Sequence, residues 1–250
     1  MSPTRRSRRS RLEPALRFLP AGDLAVSVEL GDGISFELNT QVRALEYLIQ
    51  TKGVPGVVET VPSYSALLVY YDPEVVGYDA LCAAIAELAS QTETTTLPPA
   101  RRVELPCCYE DAELAFDTER AAERLGLSPR ELIAAHAGAD YHVYFVGFTP
   151  GLPYMMLPER LRIPRLDTPR TKLPPGSVGL GGNQCCIYSV ESPGGFWIIG
   201  RTPLRLYDPD AEEPVLLRPG DAVRFRPVSR AEYDDIAARV AARTYRPVIA

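Results

Sequence analysis

The sequence predicts two folded units, a small α+β domain followed by a mainly β domain. In the first third of the chain, apolar residues recur at strand spacing and then at helix spacing, which indicates helices packed on a sheet. From residue 141 onward, short apolar runs are separated by turns rich in glycine and proline, a pattern typical of a β-barrel or sandwich. With 46% hydrophobic residues among 250, the chain is long enough to bury two cores.

The first domain is predicted to cover residues 14–91, with two helices on one side of a small antiparallel sheet. This order of elements fits an α+β sandwich of ferredoxin-like type. The strand signals are the alternation of Leu24, Val26 and Val28 and the short runs at 56–61 and 67–71, and the helix signals are apolar residues at helical spacing over 38–49 and 81–88.

Polar segments precede and follow this domain. Residues 1–13 are basic and lack the apolar stretch of a secretory signal, so we expect a disordered tail, with an arm for nucleic acid or membrane as the alternative. Residues 92–100 end in two adjacent prolines and an alanine and are predicted to be a linker.

The second domain is predicted to cover residues 101–250. Its first strand lies at 103–105, and a helix at 117–125 is stopped by Gly126. Ser128 and Glu131 have the spacing of a capping box and start another helix. Further strands are expected at 141–146, 177–180, 185–189, 196–199, 204–207 and 222–225, and a last helix from Ser229 to about Ala242.

Charge and cysteine content restrict the class of partner and the compartment. The formal net charge of −5 argues against nucleic acid as the main partner, and no apolar run is long enough to span a membrane. The five cysteines, which include the adjacent pairs Cys107-Cys108 and Cys185-Cys186, match neither a disulfide framework nor a zinc site. We therefore expect a cytoplasmic protein with buried thiols and no metal; a redox-active thiol or a vicinal disulfide is the alternative.

Several common catalytic motifs are absent from the sequence. Neither Lys52 nor Lys172 follows a phosphate-binding loop, and no glycine-rich loop opens a helix as in a dinucleotide site. Ser177 lies in a Gly-Ser-Val-Gly run that no helix follows, which excludes a serine hydrolase of the nucleophile-elbow type. His136 and His142 are interpreted as structural.

The densest set of polar residues between fixed turns lies at 145–203. Arginine is suited to bind a carboxylate or phosphate with two parallel hydrogen bonds, and hydroxyl groups orient amides. An ion pair at the barrel rim is the alternative role for Arg170, and a place in the core is the alternative for Tyr188 and Trp197. The candidate ligand-binding residues are Arg170, Ser177, Tyr188, Arg201 and Thr202, and the candidate backbone loops for a ligand or partner contain Gly147, Pro150, Gly151, Pro193, Gly194 and Gly195.

Taken in order, these motifs resemble a known family. GFTPGLPY, TPR, LPPGSV, and IY with SPGG and IGRTP downstream are similar to the family of B-type 5-oxoprolinase subunits, also described as allophanate hydrolase subunit 1 or Kip-inhibitor type and as carboxyltransferase subdomains C and D. The resemblance covers roughly residues 14–228. It implies a cyclophilin-like barrel for the second domain and adds Gln184 to the residues that orient a substrate amide.

The resemblance also implies an activity that requires an assembly. Such a chain pairs with a C-type cyclophilin-like subunit and an A-type lactam-utilisation subunit, and the complex opens 5-oxoproline to glutamate with ATP. We expect this chain to be inactive alone, with ATP held by the complex. The alternatives are a carboxyltransferase component that receives a carboxyl group from biotin on a partner, and a non-enzymatic inhibitor of a histidine kinase.

The sequence departs from the family pattern beside the expected site. Cys186 replaces the glycine of a QTGIY-like run, and Cys107-Cys108 stand where a glycine-containing segment is common. The ordered motifs therefore indicate the family more strongly than they indicate which substrate this chain binds.

Overall fold

The computed structural model describes residues 16–250, which form two compact units that divide between Leu97 and Pro98. The division falls inside the segment predicted as a linker, where Thr92–Thr94 form a 3-10 turn. The predicted basic tail, residues 1–13, lies outside the described residues. No helix in the described part of the chain is both long and apolar enough to cross a membrane.

The first unit is an antiparallel sheet with two helices, as the sequence predicts, and the sheet has four strands where the sequence indicated three. The elements are β1 (Arg17–Pro20), β2 (Ala25–Glu29), α1 (Phe36–Lys52), β3 (Val57–Pro62), β4 (Ala66–Tyr71) and α2 (Tyr78–Ala89). The strands lie in the order β1-β2-β4-β3. The core of this unit contains Val26, Leu45, Val69 and Ile85.

The ferredoxin-like arrangement of this unit stays a prediction. The place beside β2 at the sheet edge is taken by β1, which precedes β2 in an antiparallel hairpin. In the arrangement inferred from the sequence, the elements begin with the strand around Val26, so the hairpin partner of that strand was not foreseen.

The second unit contains a closed β-barrel, which confirms the barrel alternative of the sequence prediction. Seven strands follow one another around it in the order β12-β9-β10-β7-β6-β13-β5, and β5 returns to β12 through the pair Cys108 and Arg201. The elements are β5 (Arg102–Cys108), α3 (Thr118–Leu125), α4 (Pro129–Ala137), β6 (Asp140–Val146), β7 (Pro153–Met156), β8 (Arg170–Leu173), β9 (Ser177–Gly181), β10 (Gln184–Ile187), β11 (Ser192–Gly194), β12 (Trp197–Arg201), β13 (Ala222–Val228), α5 (Arg230–Ala241) and β14 (Val248–Ile249).

Strand alternation separates the barrel core from its outer wall. On β9, Val178 and Leu180 belong to the core, so Ser177 and its alternating neighbours face outward. Adjacent cysteines follow the same rule, because Cys107 and Cys185 lie in the core while Cys108 and Cys186 lie in clusters on the outer wall. The expectation of buried thiols is confirmed for these four, and all five cysteines are free.

The helix boundaries predicted from capping residues are confirmed. Ser128 and Glu131 form the expected capping box of α4, in which the Ser128 N–H donates to the Glu131 carboxylate at 2.8 Å. Gly126 ends α3 in the left-handed conformation, and the Ser229 side chain caps α5.

The prediction of a strand at residues 204–207 is wrong. Leu204 and Leu206 are buried, but the only β-pairing of this segment within the described chain is an isolated bridge between Tyr207 and Val215. Four short strands of this unit were not predicted from the sequence: β7, β8, β11 and β14.

Candidate functional site

A small pocket lies on the outer wall of the barrel, beside β10, β11 and the loop that follows β6. Its volume is about 100 Å³. Four of the residues singled out from the sequence, Tyr188, Pro193, Gly194 and Gly195, line it together. The other lining residues are Phe148, Leu152, Tyr154, Arg165, Cys186 and Phe196.

The floor of the pocket is an apolar cluster on the barrel wall. Leu152, Cys186, Tyr188 and Phe196 belong to this cluster and are all at least nine-tenths buried. The Phe196 side chain lies against bare backbone, because a Cβ atom added to Gly181 would stand 2.8 Å from its ring. The wall is therefore rigid and closely packed where a ligand would rest.

Tyr188 supplies a neutral hydroxyl to this floor. Its side chain fits only because position 194 is glycine: a Cβ atom there would lie 2.6 Å from the Tyr188 ring carbon Cζ. Burial raises the pKa of Tyr188, although the Phe196 N–H and the positive charge of Arg165 oppose the shift. The phenol is consequently protonated at neutral pH.

The loop at 147–152 forms another side of the pocket. It is closed by a hydrogen bond from the Gly147 N–H to the Leu152 carbonyl, at 3.0 Å. Phe148 has a positive φ of 65° and is 67% exposed, so the loop presents an aromatic ring at its tip. Gly151 approaches Leu206 too closely for a side chain, which explains the glycine there.

Ser177, Tyr188 and Arg201 lie in one row across three adjacent segments of the barrel wall. The Tyr188 N–H donates to the Ser177 carbonyl at 2.9 Å, and Ser177 is the register partner of Arg201. Opposing residues of antiparallel strands share a face, so all three side chains belong to the outer wall. Ser177 Oγ and Arg201 Nε are buried without a hydrogen-bond partner in the described chain.

The remaining polar candidates are held by protein groups. Arg170 donates to the buried Asp117 at 2.6 Å, which is the rim ion pair left open by the sequence, although its other terminal nitrogen has no partner among the described residues. The Thr202 hydroxyl accepts from the Leu204 N–H at 3.3 Å. Gln184 Oε1 accepts from Arg165 at 2.7 Å.

The six ligand roles assigned from sequence stay predictions, because the structure brings only part of the set to the pocket. Tyr188 lines it, and Gln184 contacts its rim through Arg165. Arg170, Ser177, Arg201 and Thr202 do not line it.

Sequence reasoning missed Arg165 and Phe148 as pocket residues. No local motif marks Arg165, since its place depends on a bridge between Ile163 and Gly182.

Cys107, Cys185 and His136 form a separate group in the barrel interior. His136 Nδ1 lies 2.9 Å from the Tyr109 hydroxyl, and its Nε2 lies 3.4 Å from Cys185 Sγ. Burial raises the pKa of the Cys107 and Cys185 thiols and lowers that of His136 to about 3. Because the thiolate is the nucleophilic form, these thiols are chemically inert at neutral pH.

No cluster of three or more His, Cys, Asp or Glu side chains in residues 16–250 has the arrangement of a metal site. The pocket itself contains a single ionisable cation, Arg165, and no carboxylate. Such a lining suits binding and orientation of a small anionic molecule.

A family model described as "Carboxyltransferase domain, subdomain C and D" matches residues 16–217. The chain belongs to this family. Within the carboxyltransferase C and D family, the B-type 5-oxoprolinase subunit of Bacillus subtilis (strain 168) is 34% identical over 223 residues, which cover 85% of this chain and 92% of that protein. The family predicted from the ordered motifs is thus confirmed.

Two further proteins that this chain resembles are larger. The crystal structure of TTHA0988 matches with a TM-score of 0.74 and 35% identity, and the match covers 82% of this chain and 40% of that one. The urea amidolyase of Saccharomyces cerevisiae is 27% identical over 256 residues, which cover 89% of this chain. This chain therefore spans about 40% of the length of TTHA0988 and about 14% of that of the yeast protein.

Proposed function

We propose that this chain is the B-type subunit of an ATP-dependent 5-oxoprolinase, an assembly that opens a cyclic amide to an amino acid. The observation that carries this proposal is the match to 92% of the length of the B-type 5-oxoprolinase subunit of Bacillus subtilis. The partners that we propose are an A-type lactam-utilisation subunit and a C-type subunit.

The pocket on the outer wall is the proposed lactam-binding site on this chain. An apolar floor suits a small ring, and Arg165 supplies a positive charge at its edge. Its volume of about 100 Å³ is well below the roughly 300–1,000 Å³ of pockets for drug-sized molecules, so the ligand is small.

The described residues do not fit ATP. The pocket is too small for a nucleotide, and three larger grooves of the described chain each carry a carboxylate. These are Glu104 and Asp140 in a groove of about 450 Å³, Glu59 in one of about 360 Å³, and Asp208 and Glu213 in one of about 300 Å³. Carboxylates repel a triphosphate, so we assign ATP to a partner subunit.

We also propose a cytoplasmic location. Five free cysteines, four of them buried, are typical of a reducing compartment.

Reconstitution with candidate A-type and C-type subunits tests the main proposal. Glutamate formation from 5-oxoproline should require ATP and all three chains, and this chain alone should be silent. The control is the same mixture without this chain. An inactive three-chain mixture, or full turnover by this chain alone, contradicts the proposal.

A carboxyltransferase role is the second candidate, favoured by the family model and by the likeness to yeast urea amidolyase. In that case biotin would be carried by a partner. Transfer of a carboxyl group from carboxybiotin to urea, dependent on this chain, would replace the lactamase proposal.

A further inference from the structure

Arg165 is an arginine at the pocket whose charge is not neutralised by the described chain. Within residues 16–250, no carboxylate lies within 4.0 Å of its guanidinium. Its contacts are a neutral amide and an aromatic face: one terminal nitrogen donates to Gln184 Oε1 at 2.7 Å, and the guanidinium carbon lies 4.7 Å from the centre of the Phe196 ring. Both contacts orient the group and leave its charge intact.

The backbone around Arg165 is fixed on both sides. Ile163 exchanges two hydrogen bonds with Gly182, at 3.0 and 2.6 Å. The Trp197 indole N–H donates to the Pro164 carbonyl at 2.8 Å, and the Leu166 N–H donates to the Gly195 carbonyl at the same distance. The stem of Arg165 then packs over Gly181, where there is no Cβ atom to displace it. Arg165 itself is exposed, so its backbone is held in place while the guanidinium stays accessible to an anion.

The charge of Arg165 reaches the pocket interior. Burial dominates the raised pKa values of Tyr154, Cys186 and Tyr188, and the positive charge of Arg165 acts against it at all three. An anion inside the pocket would experience the same field.

The other two candidate arginines are less suited to this task. Arg170 already forms an ion pair with Asp117, and its guanidinium lies 4.9 Å from the Phe116 ring. Arg201 lies beside Ser177 on the neighbouring strand, and neither arginine lines the pocket. The anion-binding role that the sequence suggested for them is better met by Arg165.

We propose that Arg165 binds the carboxylate of a small cyclic-amide acid whose ring rests on the apolar floor. This inference rests on the proposed lactamase function and assigns, on this chain, the residue that distinguishes a lactam with a carboxylate from a neutral lactam. The planar fork of arginine matches the two carboxylate oxygens, a geometry that lysine cannot reproduce.

The test is a titration of the full-length chain with three ring compounds, followed through amide chemical shifts. The probes are 5-oxoproline, pyrrolidin-2-one, which lacks the carboxylate, and cyclopentanecarboxylate, which lacks the amide. Wild-type protein should bind both carboxylates about 10- to 100-fold more tightly than pyrrolidin-2-one. Arg165→Gln should remove this preference, and Arg165→Lys should retain part of it.

Arg162→Gln is the matched control, since Arg162 is exposed on the same segment and does not line the pocket. It should bind all three probes as the wild type does. The inference is overturned if Arg165→Gln keeps the preference for carboxylates, or if wild-type protein binds none of the probes.

The titration separates failure of the inference from failure of the proposed function. Carboxylate binding that depends on Arg165, together with a reconstituted complex that does not turn over 5-oxoproline, supports the anion site and rejects the lactamase. Normal turnover of 5-oxoproline with an unchanged KM in the Arg165→Gln complex rejects the anion site alone.

Discussion

At the scale of single residues, the shape of the pocket depends on Gly194, which contacts the outer wall of the barrel, and much less on its neighbour Gly195. Gly194 lies directly over Tyr188, whereas a Cβ atom on Gly195 would meet only Pro169 and Leu166, at 3.6 Å or more. The sequence indicated that both glycines let the backbone approach a ligand closely. The structure shows that Gly194 leaves room for a neighbouring aromatic side chain of the same chain.

Gly194→Ala should therefore destabilise the protein and distort the pocket. The new methyl group would overlap the Tyr188 ring and lie 2.8 Å from Leu173 Cδ1, and overpacking of this kind typically costs about 1–3 kcal/mol. Gly195→Ala is the matched control and should change the free energy of unfolding by no more than about 0.5 kcal/mol. Urea unfolding of both variants measures the difference, and equal stabilities would show that the wall yields.

Some of the pocket residues could be predicted from the sequence, and others could not. Tyr188 and Gly194 were found because they lie in a dense series of turns. Arg165 was not found, because its position results from contacts with Gly182, Trp197 and Gly195, which are separated from it along the chain. Local patterns report local backbone geometry and carry little information on such long-range placement.

At the scale of elements, the start of α3 seals the open edge of β12. β12 pairs with β5 only at Arg201, so the backbone groups of Ile198 face away from the barrel ladder. Asp117 binds both the carbonyl and the N–H group of Ile198. Its own N–H donates to the Ile198 carbonyl at 2.9 Å, and its carboxylate accepts from the Ile198 N–H at 2.8 Å. The same carboxylate also accepts from Arg170.

Asp117→Ala should lower the free energy of unfolding by about 1–3 kcal/mol, because the buried Ile198 N–H would lose its acceptor and the half-buried Arg170 its ion-pair partner. Asp167→Ala, an exposed change three residues before Arg170, should have almost no effect. Chemical denaturation of the two variants tests this. If Asp117→Ala were as stable as the control, water would have to replace both contacts, and the edge would not depend on α3.

Elements were predicted well where a local chemical signal exists. Ser128 with Glu131, Gly126 and Ser229 marked helix ends correctly, because caps act on backbone groups within a few residues. The short apolar run at 204–207 was misleading, because Leu204 and Leu206 are buried although their segment forms only an isolated bridge. Alternation reports which side chains are covered, and hydrogen-bonded pairing requires a neighbouring strand as well.

At the scale of the whole molecule, the barrel core contains a neutral imidazole. His136 is fully buried, with the Phe225 ring centre 4.5 Å away and the Tyr141 ring centre 5.2 Å away. No carboxylate hydrogen bond or ion pair to His136 occurs within the described chain. Protonation would therefore place an uncompensated charge in the centre of the domain.

This burial predicts a loss of stability in mild acid. An unfolded histidine binds a proton near pH 6.5, whereas the pKa of folded His136 is about 3. Between these values the unfolded chain binds one more proton, so the free energy of unfolding decreases as pH falls, by up to about 1.4 kcal/mol per pH unit from this group. Above pH 6.5 the contribution is complete and constant.

Carboxylates also titrate in acid and change the stability of every variant. The prediction is therefore tested by comparing how steeply the free energy of unfolding changes with pH in two proteins. Urea unfolding between pH 6.5 and pH 4.5 should show a steeper decrease for the wild type than for His136→Gln, which cannot bind a proton. The difference should reach about 2 kcal/mol over this interval, because the slope is only half of its maximum at pH 6.5. Equal slopes for wild type and His136→Gln would mean that the barrel opens enough for water to reach the protonated ring.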